Sequence, residues 1–369
     1  MVPKIPIQNL YYLLCYVWDL PDQRNKIKVD GEKCHSLENL LAAILLNVCE
    51  RLLKRGLTPA YRYLLEEVDG VKGKLNMSST LKSGRMRLGH TYCHVDELSQ
   101  DTLINQIVYS TLKRTATLDS LDKNVCANII RTLRKFPRIS CIHLSDKVFD
   151  RVRLARNNRH YSLALHVCKL LFLSTLPKKD TSGRYEFMDF TEDEFQMNAL
   201  FERFLMNFCK RHCRKQFPQI HREYIHFQLT PFGMMFKRAG EAIPLMETDV
   251  SLYNPQTGVK KILDAKYYKE TLIAKYGAKA KVRREHLSQI ISYVMNQEDN
   301  NIPYTLNTSG TLVYPTVDED FDFSYRYKDT NHIIRLTTIN LNQDWNKIEA
   351  RLKEIVEREQ PHVNIAMAL

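Results

Sequence analysis

Leu245-Met-Glu-Thr-Asp-Val-Ser-Leu252 and Ile262-Leu-Asp-Ala-Lys-Tyr-Tyr268 are the two stretches that decide how the second half of this chain folds. Each stretch is rich in apolar and β-branched residues, and the turn formers Asn254-Pro-Gln-Thr-Gly258 lie between them. Two short apolar runs joined by such a turn predict a β-hairpin. We therefore expect a sheet in this half of the chain, with the hairpin inside it.

The predicted hairpin places charged side chains beside one another. Side chains alternate between the faces of a strand, so Asp264 and Lys266 share one face, and antiparallel pairing brings Asp249 next to Asp264. Two carboxylates can hold Mg²⁺, which prefers oxygen ligands, and a lysine can orient water and contact a phosphate. The spacing alone is a weak signal. It gains weight because Asp264 lies in an apolar run, where an unpaired carboxylate is costly to bury.

Two predicted helices add polar residues to this group. In the helix predicted at 279–296, Gln289 and Tyr293 are four residues apart and share one face, so both could border a metal site and hold a water or a phosphate. Glu202, in the helix predicted at 194–214, could supply a further carboxylate. The alternatives are a polar helix edge without a function and a solvated glutamate paired with a neighbouring base.

The balance of charge favours an anionic partner. The 369 residues carry a net charge of +12, which is typical of proteins that bind nucleic acid. Basic residues around and after the hairpin are Lys260, Lys261, Lys269, Lys275, Lys279, Lys281, Arg283 and Arg284, with Tyr267, Tyr268 and Tyr276 among them. These basic residues could follow the DNA backbone, and the predicted DNA contacts among them are Lys269, Lys281, Arg283 and Arg284. A solvated lysine-rich loop is the alternative.

The sequence lacks the patterns of several other protein classes. No G-x-x-x-x-G-K-[ST] occurs, so we expect the chain to bind no nucleotide itself. The apolar run Leu10–Trp18 is too short to cross a membrane, and no export signal accompanies it. The nine cysteines form no C-x2-C pair, which favours reduced thiols in the cytoplasm. Cys209, His212 and Cys213 are better explained as buried thiols beside a surface histidine than as a zinc site.

The order of predicted helices and strands indicates two domains, 1–178 and 179–369, divided at the loop Pro177-Lys-Lys-Asp-Thr-Ser-Gly-Arg184. The first domain combines helices with a basic, β-rich segment at 61–98. The second has helices around predicted strands at 223–229, at the hairpin, and at 310–314 and 332–341. This order predicts an α/β sandwich with a mixed sheet, within a fold of the α+β or α/β class.

Five motifs spread along the chain occur in an order that is specific to one family. They are Ile5-Pro-Ile-Gln-Asn-Leu-Tyr-Tyr-Leu-Leu-Cys-Tyr-Val-Trp18, Leu98-Ser-Gln-Asp-Thr-Leu-Ile-Asn105, Met246-Glu-Thr-Asp-Val250, Asp264-Ala-Lys-Tyr-Tyr-Lys269 and Leu312-Val-Tyr-Pro315. With these motifs the chain resembles McrC, the nuclease subunit of the McrBC class of modification-dependent, 5-methylcytosine-specific restriction systems. The resemblance covers nearly the whole chain.

The resemblance implies a C-terminal endonuclease domain of the PD-(D/E)xK fold, which cleaves double-stranded DNA with one or two Mg²⁺. Asp249, Asp264 and Lys266 fall on the catalytic positions, and the two aspartates would be the metal ligands. Gln289 and Tyr293 fall on the supporting helix. Asp264 as the second acidic residue, separated from the lysine by one alanine, follows the McrC subgroup. Glu202 is not carried over.

The resemblance also implies a partner. The N-terminal half would dock on an AAA+ GTPase ring of the McrB type and stimulate its hydrolysis of GTP, and recognition of the modified DNA would belong to that partner. One alternative is a non-catalytic DNA-binding adaptor that activates a partner NTPase. Another is a nuclease that acts alone, which rests on the fold-level motif only.

Overall fold

A computed structural model of the chain describes residues 5–20, 22, 36–177, 185–187, 191, 193–230, 242–267, 282–317 and 320–358. The chain forms two compact units. One comprises Met1–Gly31 together with Phe190–Leu369, and we call it the split unit; the other comprises Glu32–Asp189, and we call it the inserted unit.

Helices and strands alternate irregularly along the described chain. The helices are α1 Ile7–Val17, α2 Leu37–Arg55, α3 Met77–Ser83, α4 Leu103–Thr115, α5 Lys123–Leu133, α6 Asp146–Asp150, α7 Ser162–Leu173, α8 Glu194–His212, α9 Arg284–Asn296 and α10 Trp345–Glu357. The strands are β1 Ala60–Asp69, β2 Lys74–Leu75, β3 His90–Ser99, β4 Thr175–Pro177, β5 Tyr185–Phe187, β6 Gln219–His221, β7 Tyr224–Ile225, β8 Met246–Glu247, β9 Val250–Asn254, β10 Val259–Ala265, β11 Ser309–Thr316, β12 Asp322–Arg326 and β13 Ile333–Asn340. No helix in these described ranges is long and apolar enough to span a membrane.

The inserted unit combines a helical core with a small antiparallel sheet. Helices α2, α4, α5 and α7 pack together through buried aliphatic side chains, and the sheet has the order β1-β3-β2. Strands β1 and β3 pair over ten residues each, so they are longer than the short runs that the sequence predicted. Tyr61, Leu65 and Leu98 are exposed on one face of this pair, and Leu81 and Leu88 are exposed beside it. The β-rich segment therefore presents apolar side chains to solvent.

The split unit is built on a mixed sheet of the order β12-β13-β11-β10-β9-β6. Strands β10, β11 and β13 are parallel to one another, whereas β9, β6 and β12 each pair antiparallel with a neighbour. Strands β7 and β8 form a separate two-stranded pair. The predicted mixed sheet is thus confirmed, and β10 lies in its interior.

Helices cover both faces of this sheet. On one face, Ile290 and Val294 of α9 pack in a cluster with Ile262 and Leu312. Lys261 points to the opposite face, since it neighbours Ile262 on the strand, and its ammonium donates to the Val356 carbonyl of α10 at 2.8 Å. The arrangement of helix, sheet and helix is therefore the predicted sandwich.

Helix α1 packs in the split unit, although the predicted boundary at residue 178 assigned it to the first domain. The reason is its composition, since Leu10, Tyr11 and Leu14 are all buried and the helix needs apolar cover on most of its surface. That cover comes from α8 and α10, where the Tyr16 ring lies 5.5 Å from the ring of Phe204 and 5.7 Å from that of Trp345. Most of the predicted linker, 178–184, lies outside the described residues.

Two strand predictions also differ from the structure. The strand expected at 223–229 is only the two-residue β7, because the chain there leaves the main sheet to pair with β8. The edge strand β12 was not predicted. Its aromatic residues Phe323 and Tyr325 alternate with polar residues, which is the period typical of a strand, so the sequence did contain a signal for it, although both aromatic side chains are exposed.

Candidate active site

The predicted hairpin is present and aligns the two aspartates. Strands β9 and β10 pair antiparallel with Val259 opposite Asn254 and Leu263 opposite Val250. Gly258 closes the turn with a φ of +67°, a left-handed conformation that glycine adopts readily. Asp249 comes directly before β9, and its carboxylate accepts a hydrogen bond of 2.8 Å from the backbone N–H of Ala265, next to Asp264.

Asp264 is an acid inside the sheet. Its side chain is fully buried on β10, and the Lys266 ammonium lies 2.8 Å from its Oδ2. Apart from this ammonium, neither carboxylate oxygen has a hydrogen-bond donor among the described residues. Burial raises the pKa of Asp264, and the charge of Lys266 opposes that increase. The carboxylate therefore has lone pairs that no group in the described part of the chain satisfies, in a place where such groups are costly.

Asp249 shares this environment. Burial, followed by the charges of Asp264 and Glu202, raises the pKa of Asp249 to about 8. The backbone bond from Ala265 and the charge of Lys266 oppose this increase but do not overcome it. Carboxylates that repel one another this strongly favour either a shared proton or a bound cation.

The donor set fits Mg²⁺ better than a metal that needs a closed cage. No group of three or more His, Cys, Asp and Glu side chains in the described part of the chain is arranged to hold a metal ion. Mg²⁺ is usually held by one or two carboxylates and keeps several waters. Asp249 and Asp264, with the unsatisfied oxygens of Asp264, meet that requirement.

The structure places Gln289 and Tyr293 at the border of this acidic pair. The Gln289 amide donates to the Tyr293 hydroxyl at 2.6 Å, and that hydroxyl donates to the Glu247 carbonyl at 2.7 Å. Burial raises the pKa of Tyr293, and the charges of Asp264, Asp249 and Glu202 raise it further. Tyr293 is therefore a neutral hydrogen-bond donor that fixes the orientation of Gln289.

Glu202 also lies near the pair, since its charge raises the pKa of both aspartates. Its Oε1 accepts a hydrogen bond of 2.6 Å from Asn198, and its Oε2 lies 3.3 Å from the Arg222 guanidinium. Asn198 in turn accepts a bond of 2.8 Å from the backbone N–H of Tyr267. The neighbouring base expected for a solvated glutamate is thus present, but Glu202 is only partly exposed and belongs to the same group of charges.

Three residues of this surrounding were not predicted from the sequence, namely Asn198, Arg222 and His286. Asn198 could have been found, because it precedes Glu202 by one helical turn on the same face of α8. His286 is one turn before Gln289 on α9, is buried, and lies 3.0 Å from the Tyr314 hydroxyl. Burial, followed by the charges of Lys266 and Arg283, lowers its pKa to about 4, so it is neutral at physiological pH. Arg222 lies in a connection without any recognisable pattern.

The predicted DNA contacts have different outcomes. Lys269 and Lys281 lie outside the described residues. Arg283 and Arg284 are at the start of α9, where Arg284 is exposed and Arg283 is partly buried. Their role in DNA binding remains a prediction.

Two other lysines of the basic group, which the sequence analysis included among residues that could follow a DNA backbone, are buried. Lys260 is buried with its ammonium 2.7 Å from Glu223, and Lys261 is buried with its ammonium 2.8 Å from the carbonyls of Val356 and Arg358. These lysines satisfy internal acceptors, so they are unavailable to a DNA backbone.

Comparisons with known proteins show the family to which the chain belongs. The chain is 29% identical over 355 residues, covering 96% of this chain and 98% of the relative, to a protein of Escherichia coli (strain K12) named "Type IV methyl-directed restriction enzyme EcoKMcrBC". It is similar in fold, with a TM-score of 0.60 and 17% identity over 95% of this chain and 75% of the other, to a chain in a solved structure described as "Refined half-complex from tetradecameric assembly of Thermococcus gammatolerans McrB AAA+ hexamers with bound McrC". A family model described as "McrBC 5-methylcytosine restriction system component" matches residues 3–315. Because that match spans most of the chain, the protein belongs to the family of McrBC 5-methylcytosine restriction system components, as its resemblance to McrC predicted.

Proposed function

We propose that this chain is the DNA-cleaving subunit of a McrBC-type restriction complex and hydrolyses phosphodiesters of double-stranded DNA with Mg²⁺. The split unit would then be a PD-(D/E)xK endonuclease domain, with Asp249, Asp264 and Lys266 as its central residues. The observation that carries the proposal is the fully buried Asp264, whose Oδ2 faces the Lys266 ammonium and whose oxygens have no other donor among the residues that the structure describes. A buried carboxylate of this kind is expected where a cation is bound.

Each residue has a distinct part in the proposed chemistry. Asp249 and Asp264 would hold Mg²⁺, which when bound neutralises charge on the phosphate and activates water. The Lys266 ammonium, on the same face as Asp264, can orient a water and stabilise charge on a phosphate oxygen. Gln289, held by Tyr293, can position a water or phosphate through its remaining amide atoms.

The inserted unit would dock on an AAA+ GTPase ring and stimulate GTP hydrolysis. Two observations support this part of the proposal. The protein from T. gammatolerans is described as McrC bound to McrB AAA+ hexamers. In this chain, apolar side chains such as Leu65, Leu88 and Leu98 are exposed around β1 and β3, as expected of a surface that binds another protein. Recognition of 5-methylcytosine in the target would belong to the partner.

Cleavage by the reconstituted complex with GTP tests the proposal. Asp249→Asn, Asp264→Asn and Lys266→Ala should each reduce cleavage by about a hundredfold or more, because each removes a group that acts on the phosphate or its cation. Stimulation of the partner's GTPase should stay at the wild-type level. Asp344→Asn, at an exposed aspartate of the split unit, is the control and should cleave normally.

Wild-type cleavage by all three variants would refute the proposed centre. If the chain is instead a non-catalytic adaptor, no Mg²⁺-dependent DNA cleavage should occur, either with or without the partner. A nuclease that acts alone would cut with metal in the absence of the partner.

A further inference from the structure

Arg222 links two carboxylates beside the candidate active site. It lies in the short connection between β6 and β7, and its guanidinium is 3.3 Å from Glu202 Oε2 and 3.2 Å from Glu247 Oε1. The two glutamates belong to different elements, α8 and β8. The Arg222 side chain is 44% exposed, so the guanidinium faces solvent while it holds both carboxylates.

The two oxygens of Glu202 are held by different partners. Oε1 accepts from Asn198, which itself accepts from the backbone N–H of Tyr267. This bond ties Glu202 to the segment that follows Asp264 and Lys266. Oε2 is held by Arg222. Glu202 Oε2 can therefore change its partner while Oε1 keeps its bond to Asn198 and, through it, the connection to Tyr267.

Charge is unbalanced in this group. It contains four carboxylates, Glu202, Glu247, Asp249 and Asp264, and two basic side chains, Arg222 and Lys266. Fully ionised, the group has two negative charges in excess, which one divalent cation would neutralise. Such a cation near Glu202 would also repel the guanidinium, since like charges at this range interact appreciably even in water.

We infer that Arg222 competes with the divalent cation for Glu202 Oε2 and, once displaced, contacts a backbone phosphate of DNA. This inference rests on the proposed function and deepens it. In the cation-free protein Arg222 acts as the counterion of Glu202 and Glu247. When Glu202 turns to the cation, the guanidinium is released beside the substrate. Its planar set of N–H donors suits a phosphate in the same way as it suits a carboxylate.

Calorimetric titration of the full-length chain with Ca²⁺, a hard divalent cation that prefers oxygen ligands, tests the competition. Arg222→Gln should bind Ca²⁺ about fivefold more tightly than wild type, because a competing positive charge is removed. Arg222→Lys keeps the charge and should bind Ca²⁺ more nearly as wild type does. The control is Arg211→Gln, a comparably exposed arginine on α8 that pairs with Asp22, and it should change nothing. Unchanged or weaker Ca²⁺ binding by Arg222→Gln would overturn the inference.

DNA binding measured against salt concentration tests the release. With Ca²⁺ present, Arg222→Gln should weaken binding to a duplex and reduce the slope of log affinity against log salt by about one, as expected for one lost phosphate contact. Without a divalent cation its slope should equal that of wild type, because Glu202 and Glu247 then hold the guanidinium. An equal reduction with and without Ca²⁺, or no reduction with Ca²⁺, would contradict a cation-dependent contact.

One further variant separates failure of this inference from failure of the proposed function. Asp264→Asn should abolish Ca²⁺ binding if the candidate centre holds a cation. If Asp264→Asn binds Ca²⁺ as wild type does, the proposed function fails. If it loses Ca²⁺ while Arg222→Gln has wild-type Ca²⁺ affinity, only the inference about Arg222 fails. Circular dichroism of every variant checks that the fold is intact, and Arg222→Met, which also removes the positive charge and should also bind Ca²⁺ more tightly, keeps the test decisive should Arg222→Gln unfold.

Discussion

Asp264, on a strand in the interior of the sheet, and Lys266, directly after that strand, form a buried ion pair with 2.8 Å between the ammonium and Oδ2. Such a pair seldom stabilises a fold more than apolar residues of the same volume, because removing both charges from water offsets their attraction. Packing therefore gives no reason for these residue types at the centre of the split unit. The proposed chemical role does give a reason, whereas the neighbouring strand positions Ile262 and Leu263 are buried and apolar, as packing alone requires.

The raised pKa of Asp249, about 8, predicts a characteristic pH dependence of stability without divalent cations. A carboxyl group whose pKa is raised on folding binds its proton more tightly in the folded state, so its contribution is complete below the unfolded pKa and is lost as pH rises toward 8. The free energy of unfolding should therefore fall between about pH 4 and 8. In Asp249→Asn this fall should be smaller, as urea denaturation at several pH values would show.

The control for this prediction is the same measurement of stability against pH in saturating Mg²⁺. A bound cation favours the ionised carboxylate, so the decrease with pH should then be smaller in wild type as well. Equal pH dependence of wild type and Asp249→Asn in EDTA would refute the raised pKa.

For single residues, the periodicity of strands and helices predicted correctly which side chains share a face. Alternation along β10 predicted that Asp264 and Lys266 share a face, and helical spacing predicted that Gln289 lies beside Tyr293. The hydrogen bond at 2.6 Å between these two is a direct result of that spacing. Periodicity does not show which side chains are buried, however, which is why Lys260 was included among the basic residues that could follow a DNA backbone although it pairs with Glu223 inside the protein.

Helix α9 approaches the sheet closely at Gly310. A Cβ added there would lie 2.6 Å from Ile290 Cγ1, which is too close, so either the Ile290 side chain or helix α9 would have to shift. Helix α9 also carries Gln289 and Tyr293, so its distance from β11 sets their position over the acidic pair. The glycine is therefore needed for close packing.

Gly310→Ala is expected to destabilise the chain by about 1–3 kcal/mol through overpacking and to lower cleavage by the complex. Urea denaturation and a cleavage assay measure the two effects. Ile290→Ala added to Gly310→Ala creates space at the contact and should recover part of the cleavage, although the lost aliphatic group costs stability of its own. Cleavage that stays at the wild-type level in Gly310→Ala would show that the position of α9 is not critical.

Most helices were predictable at the element scale because their apolar positions recur at helical spacing. What the pattern could not give is the partner of each helix. Helix α1 is apolar on most of its surface, and nothing in its own residues indicates that α8 and α10, rather than the neighbouring α2, cover it. The edge strand β12 was missed although Phe323 and Tyr325 alternate with polar residues, and this alternation does not show that both side chains are exposed at a sheet edge.

The whole molecule is a split unit with another unit inserted in its sequence. The split unit therefore needs both ends of the chain. A fragment of residues 190–369 should lack the cover that α1 gives to Phe204 and Trp345, and it should aggregate or fail to show a cooperative unfolding transition. Residues 1–31 joined by a flexible linker to 190–369 should restore cooperative unfolding.

Size-exclusion chromatography and urea denaturation distinguish the two fragments. The comparison is controlled by the variant Tyr16→Ala in the joined fragment, which removes one α1 ring from the packing and should lower its stability by about 3–5 kcal/mol. A monomeric, cooperatively unfolding 190–369 fragment would show that α1 is dispensable to the split unit.

The packing of α1 also has a consequence for the order of events during synthesis. The side chain of Asn9 donates to the carbonyl of Leu341, 332 positions later in the chain. At the usual pace of a ribosome, roughly 20 to 60 s separate the emergence of these two residues. The ribosome finishes the inserted unit well within that interval, so this unit can fold before α10, which packs against α1, has been synthesised. On the proposed function, a chain that ends early at a premature stop codon would contain the inserted unit, which docks on the partner, without a complete split unit. Such a fragment would be unable to cleave DNA.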